Sequence, residues 1–284
     1  MMKFFQPQAD VYIPDGAAMD AALDRTTQLC IAAHQDDIEI IAYPGIAACY
    51  HEPRQWFTGV VVTDGAGSSR VGRYADRTNE EMKALRRDEQ RKAAHIGDYS
   101  LQVQLAYPSA DVKNPSNTHI VSDLWQILDK ARPEIVYLHN PADKHDTHIA
   151  VLAQSLKALR SLAREHRPKK VYGCEVWRSL DWLVDPDKQV LDASAYPNLA
   201  SALVNVFDSQ ITGGKRYDLA TIGRRLANAT FYDSHASDES NAYIWAMDLT
   251  PLVDDATLSV VEYTRSFLDR FRIDVDTRLK KFIT

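Results

Sequence analysis

The sequence predicts an α/β protein with a doubly wound, mostly parallel sheet flanked by helices. Three observations predict it. Short apolar or alternating runs at 29–33, 56–62, 101–105, 134–138 and 171–177 have the length of strands. Segments with apolar residues at helical spacing lie between several of them, the order of βαβ units. Two of the strand-like runs also end in clusters of His and Asp. Loops at the carboxyl ends of parallel strands share one crevice, where ligands bind.

In chain order, residues 1–28 carry Pro7, Pro14 and Gly16 and read as an irregular lead-in with a short helix. The first strand, 29–33, is followed by a helix through 46–50 that stops before Pro53. The second strand, 56–62, runs into a small-residue loop at 63–70. Thr78-Asn79-Glu80-Glu81 has the form of a capping box, and the helix it opens reaches Ile96. Gly97 is its expected left-handed stop. The charge run 83–92 reads as a solvated helix face with i,i+4 pairs.

Residues 101–105 form the third strand, and Val121, Leu124, Trp125, Ile127 and Leu128 mark a helix ended by Arg132-Pro133. Residues 134–138 form the fourth strand, 151–165 a long helix and 171–177 the fifth strand. Residues 182–191 read as two short strands around an Asp-Pro turn, and Thr212-Gly213-Gly214-Lys215 as a turn. A strand at 242–247 and a helix around 260–271 close the chain. There is no repeat and no low-complexity linker, so one domain over 1–284 is expected, with a core at about 29–180 and an elaboration at about 181–284.

Composition narrows the function. Of 284 residues, 45% are apolar and 25% charged, which suits a globule with a sizeable core. The net charge of −6 argues against a nucleic-acid binder. No apolar run approaches the ~20 residues of a membrane span, and residues 1–7 lack the apolar core of a signal peptide. Cys30, Cys49 and Cys174 are few, match no zinc spacing and suit a reducing cytoplasm.

The chemistry is carried by the two clusters. His34-Gln35-Asp36-Asp37 follows the first strand. His34 and Asp37 sit three apart across a tight turn, and imidazole plus carboxylate is a zinc-type donor pair. Asp36 lies between them and can face a bound water. The fourth strand leads into His139-Asn140-Pro141-Ala142-Asp143-Lys144-His145-Asp146-Thr147-His148. If both loops share one rim of the sheet, His148 joins His34 and Asp37 around one ion. Singly, each cluster also reads as helix capping, with Asp146 or the Asp36-Asp37 pair at a helix N-terminus. Their pairing after two strands favours the site.

Ala33-His34-Gln35-Asp36-Asp37 resembles the Ala-His-Pro-Asp-Asp signature of the PIG-L/LmbE-like de-N-acetylases, with Gln35 in the Pro position. Residues 140–148 are similar to the family's Asn-Pro-x-Asp-x-His-x-x-His, and the resemblance covers roughly 29–180. It implies a Rossmann-like fold and Zn2+, or another divalent cation, on His34, Asp37 and His148. It implies metal-activated water with Asp36 as general base, and His145 as oxyanion stabiliser or acid. Arg86 and Glu89 fit an Arg-x-x-Glu element of the family's helix, within a run otherwise read as structural. Thr147 stands where an Asp often orients the catalytic His, and Asp146 and Asp143 are the candidates to replace it.

The implied reaction removes an N-acetyl group from an amino-sugar derivative such as an N-acetylglucosamine conjugate. A zinc amidase or esterase on a non-sugar substrate and a non-catalytic carbohydrate-binding relative are the alternatives. Asp64, Arg70 and Arg73 in the loop after the second strand, and His235 late in the chain, are the expected substrate contacts. The expected partner is a small N-acetylated sugar or glycoconjugate, with no nucleic acid and no membrane span, in a cytoplasmic protein open to homo-oligomer formation.

Overall fold

The computed structural model describes residues 2–283. Eight strands form one sheet: β1 (Asp10–Tyr12), β2 (Gln28–Ala32), β3 (Phe57–Thr63), β4 (Leu101–Tyr107), β5 (Ile135–His139), β6 (Lys170–Cys174), β7 (Gln189–Asp192) and β8 (Tyr243–Asp248). Their order is β1-β4-β3-β2-β5-β6-β8-β7. The five strands from β4 to β6 are mutually parallel. β1 is antiparallel to β4, and β8 is antiparallel to both β6 and β7. This is a mostly parallel α/β sheet flanked by helices, as the sequence predicts.

Chain order reverses at β2, which pairs with β3 on one side and β5 on the other; Cys30 lies opposite Gly59 and Tyr137. The carboxyl ends of β2 and β5 therefore flank the topological switch point, the ligand crevice of open α/β sheets. Every residue of β2 is buried. Its side chains alternate, with Leu29 and Ile31 packing into one core and Cys30 and Ala32 into the other. Burial of each large aliphatic contributes about 1.5–3 kcal/mol, so the strand that carries the first cluster is held from both faces.

Among the described residues there are twelve α-helices: α1 (Met19–Asp24), α2 (Asp37–Ile41), α3 (Tyr43–Cys49), α4 (Asn79–Ile96), α5 (Ser109–Val112), α6 (His119–Ala131), α7 (Asp146–Arg160), α8 (Pro197–Asn205), α9 (Asp208–Ile211), α10 (Tyr217–Thr230), α11 (Thr250–Asp254) and α12 (Val260–Leu279). The capping box at Thr78 forms in both directions.

Several expectations are corrected. The lead-in contributes an edge strand, β1. The first helix divides at Ala42, just before Pro44, into α2 and α3. Gly97 ends α4 at φ −83°, not left-handed; Asp98 takes the positive φ of 53° instead. Residues 182–191 hold only β7, because Asp185–Asp187 forms a 3-10 turn. α7 begins at Asp146, inside the second cluster, and ends at Arg160. The charge run is only partly solvated, since Arg86, Glu89 and Gln90 are buried.

Candidate metal centre and cleft

The turn after β2 is built by the sequence around it. Asp36 has φ 92° and ψ −33°, a region that a non-glycine residue occupies only under constraint. The constraints are visible. Arg86, from α4, donates through Nη2 to the Gln35 carbonyl at 2.7 Å and through Nη1 to Ser68 Oγ at 2.6 Å. The Gln35 amide donates to Gln104 Oε1 at 3.1 Å, and the Asp36 N–H donates to Gln90 Oε1 at 3.3 Å. Gly65, at φ 76°, lets the loop after β3 close on this turn; a Cβ there would stand 2.6 Å from Gln35 Oε1.

β5 and α7 supply the opposite wall. His145 caps α7, its Nδ1 accepting from the Thr147 N–H at 3.3 Å. One turn on, His148 is fully buried, and its Nδ1 lies 3.3 Å from Asp143 Oδ2. His148 Nε2 then points at the first cluster. It lies 3.3 Å from Asp37 Oδ2 and 3.3 Å from His34 Nδ1, while His34 Nδ1 and Asp37 Oδ2 are 3.1 Å apart.

That triangle fits a metal. Zn2+ with ligands at about 2.0–2.1 Å in tetrahedral geometry has ligand–ligand edges of about 3.3 Å. One imidazole nitrogen on each His and one carboxylate oxygen thus converge at the spacing of a shared cation. Asp143 on the far nitrogen of His148 supplies the outer carboxylate that typically orients a ligating His.

Two more imidazoles stand close, since His145 groups with His34 and His148, and His139 with Asp37 and His148, with ligand atoms within 4.8 Å of one another. Both have other tasks. His139 Nε2 accepts the Ala33 N–H at 2.9 Å, and its ring stacks on His148 at 3.9 Å. His145 spends Nδ1 on the helix cap, so the neutral ring carries its proton on Nε2.

Burial and charge set the ionisation. Burial, countered only in part by Arg86 and reinforced by Asp37 and Glu39, drives Asp36 well above the usual carboxylate range. Burial would also raise Asp37, but His148, His34 and His139 hold it well below that range. Burial alone would lower His148, yet Asp37 and Asp143 raise it to about 9. Burial lowers His34 and His145 and takes His139 well down.

The cluster opens into a cleft of about 420 Å³ lined by His34, Asp36, Asp37, Asp64, Arg86 and His145 among others. Of the expected substrate contacts, only Asp64 lines it, and there Asp64 faces Lys83 Nζ at 3.2 Å. Arg70 is turned away, its guanidinium taken by the Arg77 and Ala66 carbonyls and by Asn79. Arg73 pairs with Asp208. His235 is exposed in the loop after α10 and lines no part of the cleft. Asp143 orients His148 and not the His145 ring, and the Thr147 hydroxyl meets Ser109 at 3.2 Å. The cleft also receives Lys113, Trp177, Lys215 and Tyr217. Lys215 closes the Thr212-Gly213-Gly214-Lys215 stretch that the sequence offers as a turn, and no pattern in the sequence marks Lys113, Trp177 or Tyr217, which reach the cleft from the end of α5, the loop after β6 and the start of α10.

Residues 29–159 match the family model described as PIG-L: GlcNAc-PI de-N-acetylase. This segment belongs to the PIG-L family. The matched PIG-L segment holds both clusters and the strands that carry them. No curated protein is similar enough to match. Among solved structures, N,N'-diacetylchitobiose deacetylase from Pyrococcus horikoshii is 16% identical, with 85% of this chain and 90% of that chain covered, at TM-score 0.62. GalB, the 4-carboxy-2-hydroxymuconate hydratase from Pseudomonas putida, is 17% identical over 79% of this chain and 95% of that chain, at TM-score 0.61. The A40926 pseudoaglycone deacetylase Dbv21 is 16% identical over 78% and 97%, at TM-score 0.53. At such identities these are likenesses of fold.

Proposed function

We propose that the protein is a metal-dependent hydrolase that removes an N-acyl group, foremost N-acetyl, from an amino-sugar derivative. The observation that carries this is the 3.1–3.3 Å triangle of His34 Nδ1, Asp37 Oδ2 and His148 Nε2, with Asp36 beside it on the cleft wall. The family match supports de-N-acetylation. The fold alone does not select it, since one similar structure is a hydratase.

His34, Asp37 and His148 would hold a divalent cation, Zn2+ by donor type. Such an ion would supply Lewis acidity and make a water nucleophilic near neutral pH. Asp36 is the base. Burial raises its proton affinity well above that of an ordinary carboxylate, and Arg86 Nη2, 3.7 Å from Oδ1, keeps the carboxylate in place. His145, neutral and protonated on Nε2, donates to the developing oxyanion. As the C–N bond breaks, the amine must gain the proton that Asp36 took from water, so Asp36 and His145 together close the proton account.

The test is release of free amine from N-acetylglucosamine derivatives, compared with non-sugar amides and esters, with zinc restored to the protein. Turnover confined to the sugar amides supports the reading. Turnover confined to non-sugar substrates overturns the sugar assignment, and sugar binding without turnover makes the protein a binder.

A further inference from the structure

A second cavity, of about 300 Å³, adjoins the metal cleft. Ile40, Val176, Trp177, Lys215 and Tyr217 line both spaces. Trp177 and Tyr217 meet edge-on at 6.0 Å, and Trp177 lies 6.1 Å from the His145 ring, so the aromatic pair stands between the cavity and the cluster. Apart from Ile40, every residue lining the cavity falls outside the 29–159 segment that matches the family.

Its walls carry the apolar side chains of Ile40, Val176, Ala220 and Ile244, yet its charged side chains are Lys215, Arg216, Arg224 and Arg225 against Glu175 alone. That is a positive excess in a chain of net charge −6. Arg216 is taken by Asp218, and Arg224 by the Val176 carbonyl. Glu175 accepts from the Trp245 and Leu180 N–H groups and from the Asn228 amide, at 2.5–3.1 Å. Two cations are left over. Lys215 Nζ lies 4.7 Å from the centre of the Trp177 ring, and Arg225, only 4% exposed, stands 4.8 Å from that of Tyr43. Neither forms an ion pair among the described residues. Arg225 Nη2 donates to the Glu39 and Ile40 carbonyls at 2.7 and 3.2 Å, closing the end of α2, the helix that begins at Asp37. Its Nε and Nη1 have no partner among the described residues.

A buried charge is ordinarily paired. The α2 carbonyls account for Nη2 and leave the charge itself without a counter-ion. Between apolar walls that charge is weakly screened, so it acts on whatever enters the cavity. We propose that this cavity is an anion subsite, which receives a carboxylate or phosphate carried on the group attached to the amino sugar. Lys215 pairs with the anion at the shared wall, and Arg225 supplies positive charge from beneath. The volume, at the small end of ligand pockets, suits a short acidic substituent. What the anion is attached to rests on the amino-sugar reading of the metal cleft.

The test is calorimetric binding of the methyl, carboxymethyl and 2-phosphoethyl glycosides of N-acetylglucosamine to the metal-free full chain, followed by amine release with zinc restored. An acidic glycoside is expected to bind about 10–100-fold more tightly than the methyl glycoside, and the acid with the larger gain names the anion. The acidic-to-neutral ratio is expected to fall about tenfold in Lys215→Met and in Arg225→Met and to survive Lys215→Arg. General damage to the fold weakens all three glycosides and leaves the ratio. Lys113 lines the metal cleft but not this cavity, so Lys113→Met is expected to keep the ratio. Equal affinities in the wild-type protein, absence of binding included, overturn the subsite. So does a preference that survives both Lys215→Met and Arg225→Met, or one that Lys113→Met removes. Acid-selective binding without amine release would uphold the subsite and sink the deacylase reading, whereas release from all three glycosides at one rate would do the reverse.

Discussion

Asp37 and Asp143 grip opposite nitrogens of His148, so the metal-free protein holds a proton there up to about pH 9. A cation must displace that proton. Metal affinity is therefore expected to rise about tenfold per pH unit between pH 7 and 9, with about one proton released per ion. Calorimetry in buffers of different ionisation enthalpy reads this directly, and a pH-independent affinity would contradict it. His148→Ala is expected to lose the ion, read by elemental analysis. Asp36→Asn is expected to keep it while kcat falls about 10²–10⁴-fold; full activity in that variant would remove Asp36 as the base. The residues of the triangle were legible because their types and spacing carry chemistry. His139 was not assigned, because its role under the site is set by an Ala33 N–H that only the fold brings to it. Arg70, Arg73 and His235 failed for the converse reason: polar residues in loops find local partners, and the sequence does not say which.

At the scale of elements, a strained turn is held by a helix. α4 delivers Arg86 and Gln90 to the 34–37 turn and Glu89 to the Ser209 N–H and hydroxyl. Its position along the sheet therefore decides whether Asp36 stays at φ 92°. Arg86→Met is expected to lower kcat with little change in metal content, because it frees the Gln35 carbonyl without touching a ligand. Thr78→Ala removes the cap of α4 and is expected to cost about 1 kcal/mol of stability in urea unfolding, with activity retained. The capping box was readable from four residues. The inward turn of Arg86, Glu89 and Gln90 was not, because a run rich in charge has the same composition whether it meets water or a buried carbonyl. Residues 182–191 show the same limit, since Asp185-Pro186 suited either a hairpin turn or the 3-10 turn that forms.

For the whole molecule, β2 and β5 are neighbours only because chain order reverses between them, and that reversal brings positions 34 and 148 together. The prediction of one shared rim needed only parallel strands and the crevice rule. The edge strand β1 was read as an irregular lead-in and β7 was paired with a second strand that does not form, because short, half-exposed strands resemble loops, whereas the buried β8 was legible at 242–247. Stability should record the metal. The raised His148 stabilises the metal-free fold fully below about pH 6.5 and less as pH climbs through about 9. Metal binding strengthens over the same window. The gap in Tm between loaded and chelated protein is thus expected to widen from pH 6.5 to 9, with a gain of about 2.7 kcal/mol wherever free metal reaches a hundredfold of Kd.

The most direct measurement is anomalous diffraction from crystals of the zinc-loaded protein at the zinc edge. The account predicts one ion per chain, bonded at once to His34 Nδ1, an Asp37 oxygen and His148 Nε2. An ion held elsewhere, or no ion at these three atoms under saturating zinc, would contradict it.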